Sequence, residues 1–113
     1  MASALLQMRE RFDAVVLGWP GVVRRTMMGH PGYAAGGKLF AFFDHGQVIL
    51  KCPDEERETM LALPGSVSWV PPGSGMTRFG QWIALTTAEN SDDELVDALE
   101  VAYRHVSLLN GGT

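Results

Sequence analysis

At 113 residues and 46% hydrophobic content, the chain is long enough for one core and too apolar to be disordered. A net charge of −4 and a pI near 5.2 exclude a general electrostatic pull toward nucleic acid or anionic membranes. One cysteine excludes an internal disulfide, and no apolar run approaches the roughly 18 residues of a membrane span. The expectation is a single cytoplasmic domain over residues 1–113 without internal repeats. The start, Met1-Ala2-Ser3-Ala4-Leu5-Leu6, meets a charge at Arg9 too early for a signal-peptide core.

Leu5, Met8, Phe12, Val15 and Val16 recur at three- and four-residue steps. They predict an amphipathic helix over residues 3–17, with Ser3 as N-cap and Gly18 and Pro20 ending it. Val22 to Met28, β-branched and following Pro-Gly, reads as a strand. Residues 29–37 hold four glycines and a proline, so the expectation there is a loop. A β-hairpin follows, with strands at 38–43 and 47–51 around Asp44-His45-Gly46, where Gly46 can supply positive φ. Strict alternation would send Leu39, Ala41 and Phe43 to one face and Phe40 and Phe42 to the other. A strand apolar on both faces belongs in the middle of a sheet.

Pro53 suits a helix start, and Asp54, Glu55 and Glu56 favour the positive end of the helix dipole. That helix covers 53–62 and stops at Pro64-Gly65. Strands follow at 67–70, ended by Pro71-Pro72, and at 81–86, with a flexible Gly73-Ser74-Gly75 tip between them. Ser91 and Glu94 form a capping box. Leu95, Ala98, Leu99, Ala102, Val106 and Leu109 then make the apolar stripe of a helix over 92–109, and residues 110–113 read as a frayed end. The expected core includes Phe40, Leu50, Trp82, Leu95, Leu99 and Val106.

The expected fold class is α+β in the order α-β-β-β-α-β-β-α, an antiparallel five-stranded sheet with its helices on one face. Arg25-Thr26-Met27-Met28-Gly29, Tyr33, Gly37-Lys38-Leu39-Phe40-Ala41 and Val48-Ile49-Leu50-Lys51, followed by an acidic helix, resemble the TfoX N-terminal domain family. The Gly-Lys-x-Phe-Ala hairpin, the Trp82 strand and the Ala102-Tyr103 helix also resemble the related MmcQ/YjbR family. The likeness covers residues 20–107. It implies a type III secretion chaperone-like fold, a link to competence or transcription regulation, and for MmcQ/YjbR members a DNA-binding label given by inference.

The histidines, His30, His45 and His105, show no metal-ligand spacing, so no metal and no cofactor are expected. Cys52 stands at a helix start, but Asp54, Glu55 and Glu56 oppose a thiolate there, and an inert cysteine is expected. Gly36-Gly37-Lys38 leads into a strand and not a helix N-terminus, which argues against a phosphate loop. Basic Arg24, Arg25, Lys38, Lys51 and Arg78 are dispersed, while Tyr33, Phe79 and Trp82 could stack on bases. The candidate interaction surface comprises Arg25, Tyr33, Lys38, Phe42, Lys51 and Trp82.

These features favour a non-enzymatic regulatory or protein-interaction domain with an unidentified protein partner, and a DNA-binding accessory protein as the alternative. No membrane partner is expected. A homodimer is expected because Phe40 and Phe42, or Leu39, Ala41 and Phe43, would leave large apolar groups on whichever sheet face the helices do not cover.

Overall fold

The structure, a computed structural model, describes the backbone of residues 2–44, 46–77 and 79–109, and within these the side chains of residues 9–107. The expectations for the Ser3 side chain, His45, Arg78 and residues 110–113 fall outside it. Helix α1 spans Ala2–Val16, so Ser3 lies inside the first turn and not ahead of it. Strands β1 (Val22–Met27), β2 (His30–Ala35), β3 (Lys38–Asp44) and β4 (Gln47–Lys51) follow. Helix α2 (Asp54–Leu61), strands β5 (Val67–Ser68) and β6 (Trp82–Thr86), and helix α3 (Asp92–Leu109) complete the chain. All strands join one antiparallel sheet in the order β1-β2-β3-β4-β6-β5.

The sheet has six strands and not five, because residues 30–35 are a strand and not a loop. The glycines of this stretch serve its turns and one close approach. Met27 pairs with His30, and the two residues between them, Met28 and Gly29, have φ of 49° and 83°. Ala35 pairs with Lys38 across Gly36 and Gly37, at 60° and 83°. Positive φ at both central positions gives the twist that a two-residue hairpin connection needs. Gly32 faces Phe42, and a Cβ there would fall 2.5 Å from the Ala41 carbonyl oxygen. The expected 38–51 hairpin closes similarly, Asp44 pairing with Gln47 and Gly46 at φ 77°.

A β-bulge changes which aromatic rings share a face. Between the pairs Tyr33–Ala41 and Ala34–Leu39, β3 carries one extra residue, Phe40. Two residues then oppose one, and the side-chain alternation slips by one position. Phe40 and Phe43 consequently join Tyr33 beneath the helices, while Leu39 and Phe42 face the reverse side. The expectation that Phe40 and Phe42 share a face fails for this reason.

The helices cover one face, as expected. Leu95, Ala98, Leu99, Ala102 and Val106 of α3 are buried with Phe40, Val48, Leu50, Ile83 and Leu85 of the sheet. Phe12 and Val16 add α1 to this core, and Met60 adds α2. The capping box forms: the Glu94 N–H donates to Ser91 Oγ at 3.2 Å, and the Ser91 N–H to Glu94 Oε1 at 3.2 Å. Asn90, just before it, donates to the Pro64 and Thr86 carbonyls at 3.0 and 2.9 Å and ties the two turns at that end.

The reverse face is apolar, and the protomer covers much of it. Phe42, Ile49, Ala84 and Trp69 form a second buried cluster. The Trp69 ring meets Phe42 edge-on at 5.3 Å, and Phe79 meets Trp69 at 6.1 Å. Strand β5 is shorter than expected, but the chain stays on the sheet beyond it, the Trp69 N–H donating to the Trp82 carbonyl at 3.0 Å. Trp82 is half-buried on this side, 5.5 Å from Phe42, and so belongs to the margin of the core and not its centre.

Phe40→Ala is expected to cost about 3–5 kcal/mol, because the ring is fully enclosed by sheet and helix. Gly32→Ala is expected to cost about 1–3 kcal/mol through its clash with backbone. Denaturant midpoints check both, and a midpoint equal to the parent's would remove Phe40 from the core or Gly32 from the close approach.

Candidate functional site

Among the described residues, two concave regions on the helical side gather polar and charged side chains. The first is a groove between α2 and α3. One of its cavities, about 190 Å³, has Met60, Leu63, Ala98 and Val101 as apolar lining and Glu56, Glu94 and Asp97 as acidic lining. The adjoining one, about 200 Å³, shares Glu56 and Val101 and adds Pro53, Glu55, Arg104 and His105. The acids are there for a local reason. Both helices begin with three carboxylates, which favour the positive end of each dipole. Packing α2 beside α3 places Glu56 and Glu94 on one groove. At its other end His105 Nε2 lies 2.8 Å from Gln81 Oε1, and Arg104 donates to Glu100 at 2.7 Å.

The second region is a cleft of about 180 Å³ between α1 and the β1–β2 hairpin, lined by Arg9, Asp13, Arg24, Thr26, Tyr33 and Phe43 among others. Arg24 and Tyr33 are cross-strand partners, so both face α1. The Tyr33 hydroxyl donates to Asp13 Oδ1 at 2.5 Å, and Arg24 Nη2 donates to Asp13 Oδ2 at 2.9 Å. Burial first, then the hydrogen bond to Asp13 and the charge of Asp13, push the Tyr33 phenol well above its ordinary value.

The candidate residues separate into three places. Lys51 pairs with Trp82, whose ring contacts Phe42, so these three meet on the reverse face. Phe42 is only 1% exposed there and offers no ring to a partner. Arg25 and Lys38 are exposed near the Gly36-Gly37 turn, where Arg25 Nη1 donates to the Gly37 carbonyl at 2.7 Å. Tyr33 is 1% exposed on the opposite side, so it presents no stacking surface. The bulge and the Trp69 cover explain these burials, and neither is a property of single residues. Glu56, Met60, Leu63, Glu94, Asp97 and Val101 of the groove were not singled out from the sequence, and neither were Arg9 and Asp13. The i,i+4 spacing of Arg9 and Asp13 and the paired acidic helix starts were the available signals.

Cys52 is buried in the helix-side core, and its thiol donates to the Pro53 carbonyl at 3.3 Å. Burial pushes the thiol up to about 11, with Glu56, Asp54 and Glu55 adding to the rise and Arg57 opposing it. At neutral pH it is therefore a protonated, enclosed thiol. His30 lies beside Phe42 and 3.7 Å from Asp44, on the opposite sheet face from Cys52. Among the described residues no group of three His, Cys, Asp or Glu side chains is placed to hold a metal ion. No helix among them is long and apolar enough to cross a membrane.

The fold and its concave regions define a class: a small α+β domain whose antiparallel sheet carries three helices on one face. The family model described as YjbR matches residues 17–105. The chain belongs to the YjbR family, in agreement with the MmcQ/YjbR half of the sequence resemblance. No curated protein and no solved structure matches it.

Cys52 is expected to resist a thiol reagent at pH 8 in the native protein and to react on unfolding. Its folded value, about 11, lies above the ordinary 9.0, so its contribution to stability is intact below pH 9 and lost as pH rises toward 11. Native labelling as fast as that of the denatured chain would contradict its burial.

Proposed function

We propose that this YjbR-family chain is a non-enzymatic regulatory domain that acts by binding another protein through the α2–α3 groove. The supporting observation is the groove's composition, an apolar floor of Met60, Leu63, Ala98 and Val101 edged by Glu56, Glu94 and Asp97. Apolar side chains on a partner would fill the floor, and lysines or arginines would meet the carboxylates. A basic amphipathic helix or strand has that pattern. The TfoX N-terminal resemblance adds a link to competence or transcription regulation to this proposal.

DNA binding is the second reading, favoured by the exposure of Arg25 and Lys38 near one turn. It ranks lower because the acidic groove repels phosphates and the chain carries −4 overall. Two-fold self-association is a separate proposal. The reverse face is covered in part, with Val67 and Phe79 still exposed, and light scattering at about 100 μM, well above the dissociation constant of a stable dimer, tests it.

A labelled amphipathic peptide of alternating leucine and lysine character is expected to bind with a Kd on the order of 10 μM, read by fluorescence anisotropy. Reversing two groove charges, Glu56→Lys with Asp97→Lys, is expected to weaken it about tenfold, while Arg25→Ala leaves it unchanged. Equal binding by the reversed variant, or tighter salt-sensitive binding to duplex DNA, would overturn the reading.

A further inference from the structure

We propose that the cleft between α1 and the β1–β2 hairpin binds a small organic carboxylate. This goes beyond the protein-binding reading and uses none of the groove residues. The cleft sets three arginines, Arg9, Arg24 and Arg25, against one carboxylate, Asp13, and Arg25 donates to the Gly37 carbonyl at 2.7 Å. Both Asp13 oxygens are already engaged, one by the Tyr33 hydroxyl at 2.5 Å and the other by Arg24 at 2.9 Å. Asp13 is therefore balanced within the protein. Arg9 has no hydrogen-bond or ion-pair partner among the described residues, so its guanidinium is left for a ligand.

The surroundings favour an organic anion over a free inorganic one. Tyr33 is almost fully buried, its ring meets Phe43 edge-on at 5.7 Å, and Phe43 stacks on Phe12 at 5.8 Å. Of these rings Phe43 is half-buried, and with Pro31 it gives the cleft an apolar edge. Arg24 reaches Asp13 through one nitrogen, which leaves other N–H groups of its fork for a ligand oxygen. The Thr26 hydroxyl lies on the same lining. An arginine fork meets a carboxylate with two parallel hydrogen bonds. A volume of about 180 Å³ is below that of drug-sized sites and suits a ligand with a single ring or short chain.

Benzoate is the probe, with neutral benzamide as its near-isostere and inorganic phosphate as the competing anion, each titrated by calorimetry into the parent and into Arg9→Gln. Benzoate is expected to saturate below about 10 mM and to bind about tenfold more tightly than benzamide, because a charge-assisted pair is roughly twice as strong as a neutral one. Arg9→Gln is expected to lower benzoate affinity about tenfold with an unchanged melting temperature, since Arg9 holds no partner among the described residues. No saturation in that range, equal binding of benzoate and benzamide, or full affinity in Arg9→Gln would each overturn the proposal. Phosphate binding more tightly than benzoate would overturn the carboxylate assignment. The benzoate–benzamide comparison is made on the parent protein, so it holds even if the variant folds poorly.

Discussion

The fold depends on one displaced residue in a central strand. Strand β3 is apolar on both sides and packs between β2 and β4. Strict alternation would place Phe40 and Phe42 together and leave Phe43 against them. The bulge at Phe40 puts Phe40, Ala41 and Phe43 beneath the helices and turns Phe42 to the reverse face. Each side then receives large rings that neighbouring elements can cover. On the helical side Phe40 lies 5.8 Å from Tyr103 of α3, and Phe43 lies 5.8 Å from Phe12 of α1. On the reverse side Phe42 is held by Trp69 and Trp82. A bulge disturbs the local ladder, and here the packing of two aromatic clusters offsets that loss.

The second constraint is the tightness of the hairpins. Two-residue connections between β1 and β2, and between β2 and β3, leave no slack in the register. Their glycines look like disorder or loop when counted together, but each has a place. Gly29, Gly36 and Gly37 supply positive φ, and Gly32 lets β2 approach Phe42. The same register sets Tyr33 opposite Arg24 and so brings both to Asp13 of α1. The polar cleft is thus a consequence of the turns.

Charge is sorted over the surface in a way that the net value of −4 conceals. The acidic first turns of α2 and α3 contribute to one groove, whereas α1 and β1 bring Arg9 and Arg24 to the other cleft. Each helix start is explained by its own dipole, and their combination is explained by packing. Regional fields of this kind decide which partners approach which face, since charges beyond roughly 10 Å are screened in salt.

The sequence by itself determined the elements whose signals are local. The apolar stripe over 92–109 and its Ser91–Glu94 cap predict α3 as it is found. The Gly46 turn and the runs on either side of it predict β3 and β4, and Pro53 with three acids predicts α2. The α+β class and the YjbR resemblance followed from such patterns. Strand β2 was not legible, because glycine composition does not say which glycines sit in turns and which face a neighbouring strand. The faces of Phe40 and Phe42 were not legible either, since a bulge is a mismatch between two strands and neither strand records it alone. Tertiary structure decided that Trp69 and Phe79 cover the reverse face and that Tyr33 and Phe42 are enclosed. It also decided that acids from α2 and α3 share one groove and that Arg9 and Arg24 share one cleft. Helix caps and turns are settled within a few residues, whereas burial and the meeting of charges depend on segments far apart in the chain.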